Sequence, residues 1–155
     1  MIILCTGSKP VIPPIRGLEK VEYHTSDSVL KMTRLPKSIA IIGGGYIAAE
    51  YGHFFSAMGS KVTVIGRNPQ FLPDEESELS ALAKRELQEH MRIITNHEVR
   101  EIERTSTGEK RLVAVNRENG KEIETTAEEV LVATGRGPNT DILHPERGRI
   151  KIDGE

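Results

Sequence analysis

The residues best placed to do chemistry are Gly43-Gly44-Gly45-Tyr46-Ile47-Ala48. They fit the spacing G-x-G-x-x-G/A, with Ala48 in the last position. Each small residue meets a physical need. Gly43 allows a tight turn off a strand. Gly45 has no side chain, so a pyrophosphate can approach the backbone. Ala48 is small enough for the following helix to sit close to the strands. The free N–H groups of that helix's first turn, at the positive end of its dipole, then meet the phosphate charge. Ile47 lies inside the motif and is counted with it as cofactor-binding.

A glycine triplet also fits a plain turn, so the surrounding elements decide. Ile39-Ala40-Ile41-Ile42 is a continuous apolar run, suited to a strand buried on both faces of a parallel sheet. Residues 46–58 place Ile47, Ala48, Tyr51, Phe54, Phe55 and Met58 at helical spacing, and Gly59 is a natural C-terminal cap. Val62-Thr63-Val64-Ile65 reads as a second buried strand. Strand, glycine turn, helix and strand make a βαβ unit. That context turns the motif into a dinucleotide site.

The end of the second strand separates NAD from NADP. An NAD site places Asp or Glu there, on the ribose 2′-hydroxyl. No carboxylate stands between Glu50 and Asp74; Gly66 occupies the position and Arg67 follows. Glycine leaves room for a 2′-phosphate, and arginine binds one through two charge-assisted hydrogen bonds. The expected cofactor is therefore NADP(H) in preference to NAD(H), with Lys61 and Asn68 as secondary candidates.

The remaining elements frame this unit. Residues 1–5 read as a short buried strand, residues 9–24 as an extended connector, and Ser26 or Asp27 as the cap of a short helix through Met32. Residues 74–91 read as a second helix with Asp74, Glu75, Glu76 and Glu78 in its first turn, a solvated acidic start that suits the dipole. Arg92–Thr95 is a third parallel strand. Segments 98–105, 110–117 and 121–126 form an antiparallel meander, turned at Thr107-Gly108 and Asn119-Gly120. Glu129–Ala133 returns as an apolar strand, and Arg149–Asp153 is a further β-like segment. The fold class is α/β: a Rossmann-like dinucleotide-binding domain with a parallel sheet, flanking helices and an antiparallel three-stranded meander.

Composition bounds the alternatives. Among 155 residues, 21 Lys and Arg stand against 23 Asp and Glu, a net charge of −2 that gives no case for nucleic acid or a membrane surface. Cys5 is the one cysteine, so no internal disulfide and no cysteine zinc site can form. The histidines, His24, His53, His90, His97 and His144, show no ligand spacing and read as surface or loop residues, so no metal is expected. No apolar stretch is long enough for a bilayer and no secretory signal is recognised, so the expected location is the cytoplasm.

Three stretches carry a family resemblance. ILCTGSKP (residues 3–10), GGGYIAAE (43–50) and ATGRGPNT (133–140) resemble, in order, segments of the pyridine nucleotide–disulfide oxidoreductases, the family of dihydrolipoamide dehydrogenase, glutathione reductase and mercuric reductase. The first and third resemble the points where such a chain leaves and re-enters a flavin domain. The resemblance covers essentially the whole chain. It divides it into a connector from a flavin domain (1–34), an NAD(P)-binding domain (35–135) and the start of the return (136–155).

The resemblance also implies roles. Gly43, Gly45 and Ala48 would cradle the pyrophosphate. Tyr46 matches an aromatic that covers the flavin until nicotinamide displaces it, and Glu50 a glutamate near the nicotinamide. Val99 matches a contact on the adenine side, and Gly135 a glycine beside the nicotinamide ribose. Arg67 matches the first arginine of the NADPH-using members, while the position of the second falls near Pro73. Cys5 replaces an alanine and reads as a small buried side chain. The family's FAD fingerprint and redox cysteine pair would precede the sequence, and its dimerisation domain would follow it. The expectation is a homodimeric enzyme passing hydride from NAD(P)H to FAD and electrons to a disulfide, with this chain alone inert. The competing readings are a flavin reductase without the cysteine pair, such as an NADH oxidase or ferredoxin reductase-like enzyme, and a non-catalytic nucleotide-binding module.

Overall fold

The computed structural model describes residues 3–151. Its strands are β1 (Ser8–Pro10), β2 (His24–Thr25), β3 (Ser38–Ile42), β4 (Lys61–Ile65), β5 (Arg92–Ile94), β6 (His97–Arg104), β7 (Lys110–Asn116), β8 (Glu122–Ala127), β9 (Glu129–Val132) and β10 (Arg136–Pro138). Helix α1 (Tyr46–Ala57) joins β3 to β4, and α2 (Ser77–Gln88) lies between β4 and β5. The central sheet runs β2-β9-β3-β4-β5, and every pairing in it is parallel. β6, β7 and β8 form the antiparallel meander. β1 pairs antiparallel with β10 in a separate ribbon.

Side-chain alternation builds three layers from these elements. Successive residues of a strand face opposite sides. Ile39 and Ile41 of β3 therefore join Ala48, Phe55, Val62 and Val64 in a core under the helices. Ala40 and Ile42 join Ile65, Val130, Leu112 and Ala127 in a second core between the central sheet and the meander. A sheet buried on both faces explains why its strands are apolar without interruption.

The βαβ unit, the third parallel strand and the meander match expectation to within a few residues at each end. Several flanking expectations are corrected. Met1 and Ile2 lie outside the described residues, and residues 3–5 form no strand: Ile3 and Leu4 are 72% and 59% exposed. Cys5 is also exposed, not buried. Apolar character alone does not make a strand without a neighbour to pair with, and pairing starts at Ser8. Residues 149–151 are not a strand either. Arg149 has φ 54°, and its N–H closes a 3₁₀ turn over Pro145–Gly148 by bonding to Glu146; residues 152 and 153 lie outside the described residues.

The connector is less extended than expected, because it holds a 3₁₀ turn at Leu18–Lys20; its last residue, His24, opens the short β2. The helix expected near Met32 is a single 3₁₀ turn, Val29–Lys31. α2 starts at Ser77, so of the four acids only Glu78 lies in its first turn; Glu76 is the N-cap, and Asp74 and Glu75 precede the helix.

Candidate functional site

The carboxyl ends of β3, β4 and β9 meet the N-terminus of α1, and three glycines there do different work. The N–H of Gly43 donates to the carbonyl of Ile65 at 2.8 Å, and the N–H of Ala133 donates to Ile42 at 2.7 Å. Gly43 has φ 130°, and a Cβ on it would collide with the Ala133 carbonyl. Only glycine fits this crossing of strands. Gly44 and Gly66 are packed backbone to backbone: a Cβ on Gly66 would lie 3.3 Å from the Cα of Gly44.

Gly45 is different. It is the N-cap of α1 with φ −93° and ψ −167°, a conformation open to any residue. A Cβ there would meet nothing within 4 Å. No side chain caps the helix, so its first-turn N–H groups have no side-chain partner at that end. The turn thus presents donors and a bare backbone to open space, which is the chemistry a pyrophosphate requires.

That space is a cleft of about 450 Å³. Of the sequence candidates, Gly43, Gly45, Tyr46, Ile47, Arg67, Val99 and Gly135 line it. Ala48 lies behind it, fully buried against the sheet, where a larger residue would push the helix away. Glu50 is exposed on α1 and Gly66 is buried at the base of the turn; neither is on the lining. Gly66 therefore serves the packing of the glycine turn. Lys61, a secondary candidate, starts β4 at the end away from the cleft.

Other lining residues were not singled out as site residues. Pro13 and Pro14 of the connector form one side, and Glu98 and Arg100 of β6 another, held as an ion pair at 2.6 Å. The position of Val99 was the signal that pointed to this stretch. Pro73 and Asp74 close the side near Tyr46, whose hydroxyl donates to Glu75. Among the described residues no cluster of His, Cys, Asp or Glu could hold a metal. No helix there is long and apolar enough to cross a membrane.

A crevice at the carboxyl ends of a parallel sheet, floored by a glycine turn and a helix N-terminus, defines a Rossmann-like α/β domain. The chain belongs to the pyridine nucleotide-disulphide oxidoreductase family, whose sequence profile matches residues 1–155. It is 35% identical over 150 residues to mercuric reductase of Staphylococcus aureus, covering 96% of this chain and 27% of that protein. It is 34% identical to mycothione reductase of Mycobacterium tuberculosis, covering 98% and 32%. The solved structure of the HOCl-induced flavoprotein disulfide reductase RclA from Escherichia coli superposes with a TM-score of 0.84 at 30% identity, over 96% of this chain and 33% of that one. The chain thus spans between a quarter and a third of the length of these relatives. The family uses FAD and a pyridine nucleotide. This chain carries one G-x-G-x-x-G/A motif, Gly43 to Ala48.

Proposed function

We propose that this chain is the pyridine-nucleotide-binding part of a flavin-dependent disulfide oxidoreductase, and that it takes NADP(H) in preference to NAD(H). The observation that carries the reading is Gly45: a side-chain-free N-cap facing open space, at the start of a helix that no side chain caps. Gly43, Gly45 and Ala48 cradle the pyrophosphate: Gly43 and Ala48 through the packing of the turn, Gly45 by leaving the backbone bare. Ile47 and Tyr46 border the nicotinamide side with Gly135, and Glu50 stands nearby on α1. Val99 borders the adenine side. Arg67, exposed at the end of β4 with no carboxylate between Glu50 and Asp74, supports the NADP(H) preference.

The bound nicotinamide supplies a hydride for FAD. The chain's own residues orient the nucleotide and shape the crevice. The domain reading has support in the ribbon: Ser8–Pro10 and Arg136–Pro138 run side by side, so the segments flanking residues 35–135 lie together. Arg136 ties them further, donating to Ser8 and to Asp27. Cys5 is the only cysteine, so the chain has no redox pair of its own and on its own is inert.

Thermal denaturation of the purified chain with NADPH, NADP⁺, NADH and NAD⁺ tests the reading. A ligand at about a hundred times its dissociation constant stabilises the fold by roughly 2.7 kcal/mol. The expected result is a clear upward shift with the phosphorylated pair and a smaller one with NADH and NAD⁺. Stabilisation by NADH and NAD⁺ alone would refute the NADP(H) preference, and no shift with any of the four would refute nucleotide binding by this chain.

A further inference from the structure

We infer that Arg117, from the turn between β7 and β8, is the second cation for the 2′-phosphate and acts beside Arg67. This rests on the NADP(H) reading and extends it to a residue of the meander, outside the βαβ unit.

Three observations bring Arg117 to that corner. Its Nη1 donates to the backbone carbonyl of Arg67 at 3.2 Å, across 50 positions of sequence. Its own N–H donates to the carbonyl of Asn96 at 2.9 Å. The N–H of Asn96 in turn donates to the carbonyl of Asn68 at 2.7 Å. The hairpin turn is therefore stitched to the loop that follows β4, where Arg67 and Asn68 line the cleft, and the exposed Arg117 side chain lies against the backbone of that loop at the rim.

The charges there are uncompensated. Among the described residues neither Arg67 nor Arg117 is within salt-bridge distance of a carboxylate. Arg100, which also lines the cleft, is by contrast neutralised by Glu98 at 2.6 Å. Two unpaired arginines rooted on separate elements form an anion site of the kind a phosphate dianion fills. The bond to Arg67 uses one guanidinium N–H and leaves the other donors of Arg117 for the ligand. The turn is also pre-organised. The side-chain oxygen of Asn116 accepts from the N–H groups of Glu118 and Asn119 at 2.9 and 3.1 Å, which fixes the path on either side of position 117.

Isothermal titration of the purified chain with NADP⁺, NAD⁺ and 2′,5′-ADP tests this. The wild-type chain should bind NADP⁺ more tightly than NAD⁺; equal affinity would refute the NADP(H) reading itself, and the inference with it. Given that preference, Arg117→Gln should weaken NADP⁺ and 2′,5′-ADP by about tenfold and leave NAD⁺ within about twofold, the effect of one charged hydrogen-bonding partner. Arg117→Lys should recover part of the loss. The NAD⁺ titration reports on the fold and on the cradle, neither of which needs the 2′-phosphate. If Arg67→Gln alone removes the discrimination, or if Arg117→Gln weakens NADP⁺ and NAD⁺ equally, Arg117 is only a brace for the loop. The inference would then be overturned while the NADP(H) reading stood.

Discussion

Gly43 and Gly45 stand two residues apart in one motif, yet the structure assigns them opposite sensitivities. Gly43→Ala forces a side chain into φ 130° and drives its Cβ into the Ala133 carbonyl. The left-handed backbone costs about 1–2 kcal/mol, and crowding in a packed site adds about 1–3 kcal/mol. Gly45→Val places its side chain where nothing lies within 4 Å, at a φ of −93° that valine tolerates. Its cost to folding is the N-cap preference for glycine, about 1 kcal/mol or less. In a domain of this size each kcal/mol moves the midpoint by about 2–4 °C. Gly43→Ala should therefore lower the melting temperature by roughly 4–20 °C, and Gly45→Val by no more than about 4 °C. Nucleotide affinity should reverse the order. Valine at position 45 keeps a pyrophosphate off the helix N–H groups, and the loss of one or two charged hydrogen bonds weakens binding by about 10–100-fold. Calorimetric melting and fluorescence titration with NADPH read the two effects separately. A folded Gly45→Val chain that binds as the wild type does would refute the cradle. A Gly45→Val chain as unstable as Gly43→Ala would refute the division of labour between the two glycines.

Two further predictions concern charges that hold the layers together. The Lys110 side chain is 4% exposed and is held by Glu129 at 2.5 Å and the Glu128 carbonyl at 2.7 Å, so it ties the meander to β9. Lys110→Met should cost roughly 2–3 kcal/mol in urea denaturation, and adding Glu129→Leu should return most of it; a fully stable single variant would count against the tie. The carboxyl group of Glu128 is held below the ordinary glutamate range by the backbone N–H of Lys37 and then by the Arg34 guanidinium. A lowered folded-state value means that its contribution is complete above the unfolded glutamate value and is lost as pH falls through the folded one. The stability gap between wild type and Glu128→Gln should thus be open at pH 7 and close below about pH 4, and a gap that stays constant through the acid range would contradict the assignment.

Legibility followed burial. The strands of the central sheet are apolar on both faces because two cores enclose them, so Ile39–Ile42 and Val62–Ile65 announce themselves. The meander was legible from its turns: the Asn119-Gly120 pair ends where chemistry demands, with Gly120 at φ 70°. The ends were not legible. Residues 3–5 carry a strand's composition but no strand, because pairing depends on a neighbour that local sequence does not reveal. Within the cleft, the motif residues could be named because they are contiguous. Pro13, Glu98 and Arg100 could not, since only the packing of the connector and the meander against the central sheet brings them to the cleft.

The way that layer reaches the cleft depends on one irregularity. Val99 and Ile102 are three positions apart in β6, so a regular strand would turn them to opposite faces. Both are nonetheless buried in the core between meander and sheet. The register of β6 against β7 shifts between Val99 and Glu101, and Arg100 is the extra residue of that bulge. The connector seals the same point: the N–H of Arg16 donates to the Arg100 carbonyl at 3.1 Å, and the N–H of Ile102 donates to the Arg16 carbonyl at 2.9 Å. The bulge thus satisfies two burial demands at once and leaves Arg100 exposed on the cleft lining, while Arg16 covers the backbone groups that the interrupted ladder would leave unpaired. A meander in this position therefore does what a helical crossover could not. Its inner face completes the core and its irregular edge becomes a wall of the site, so the residues that border the cleft there can vary without disturbing the glycine turn on the opposite strands.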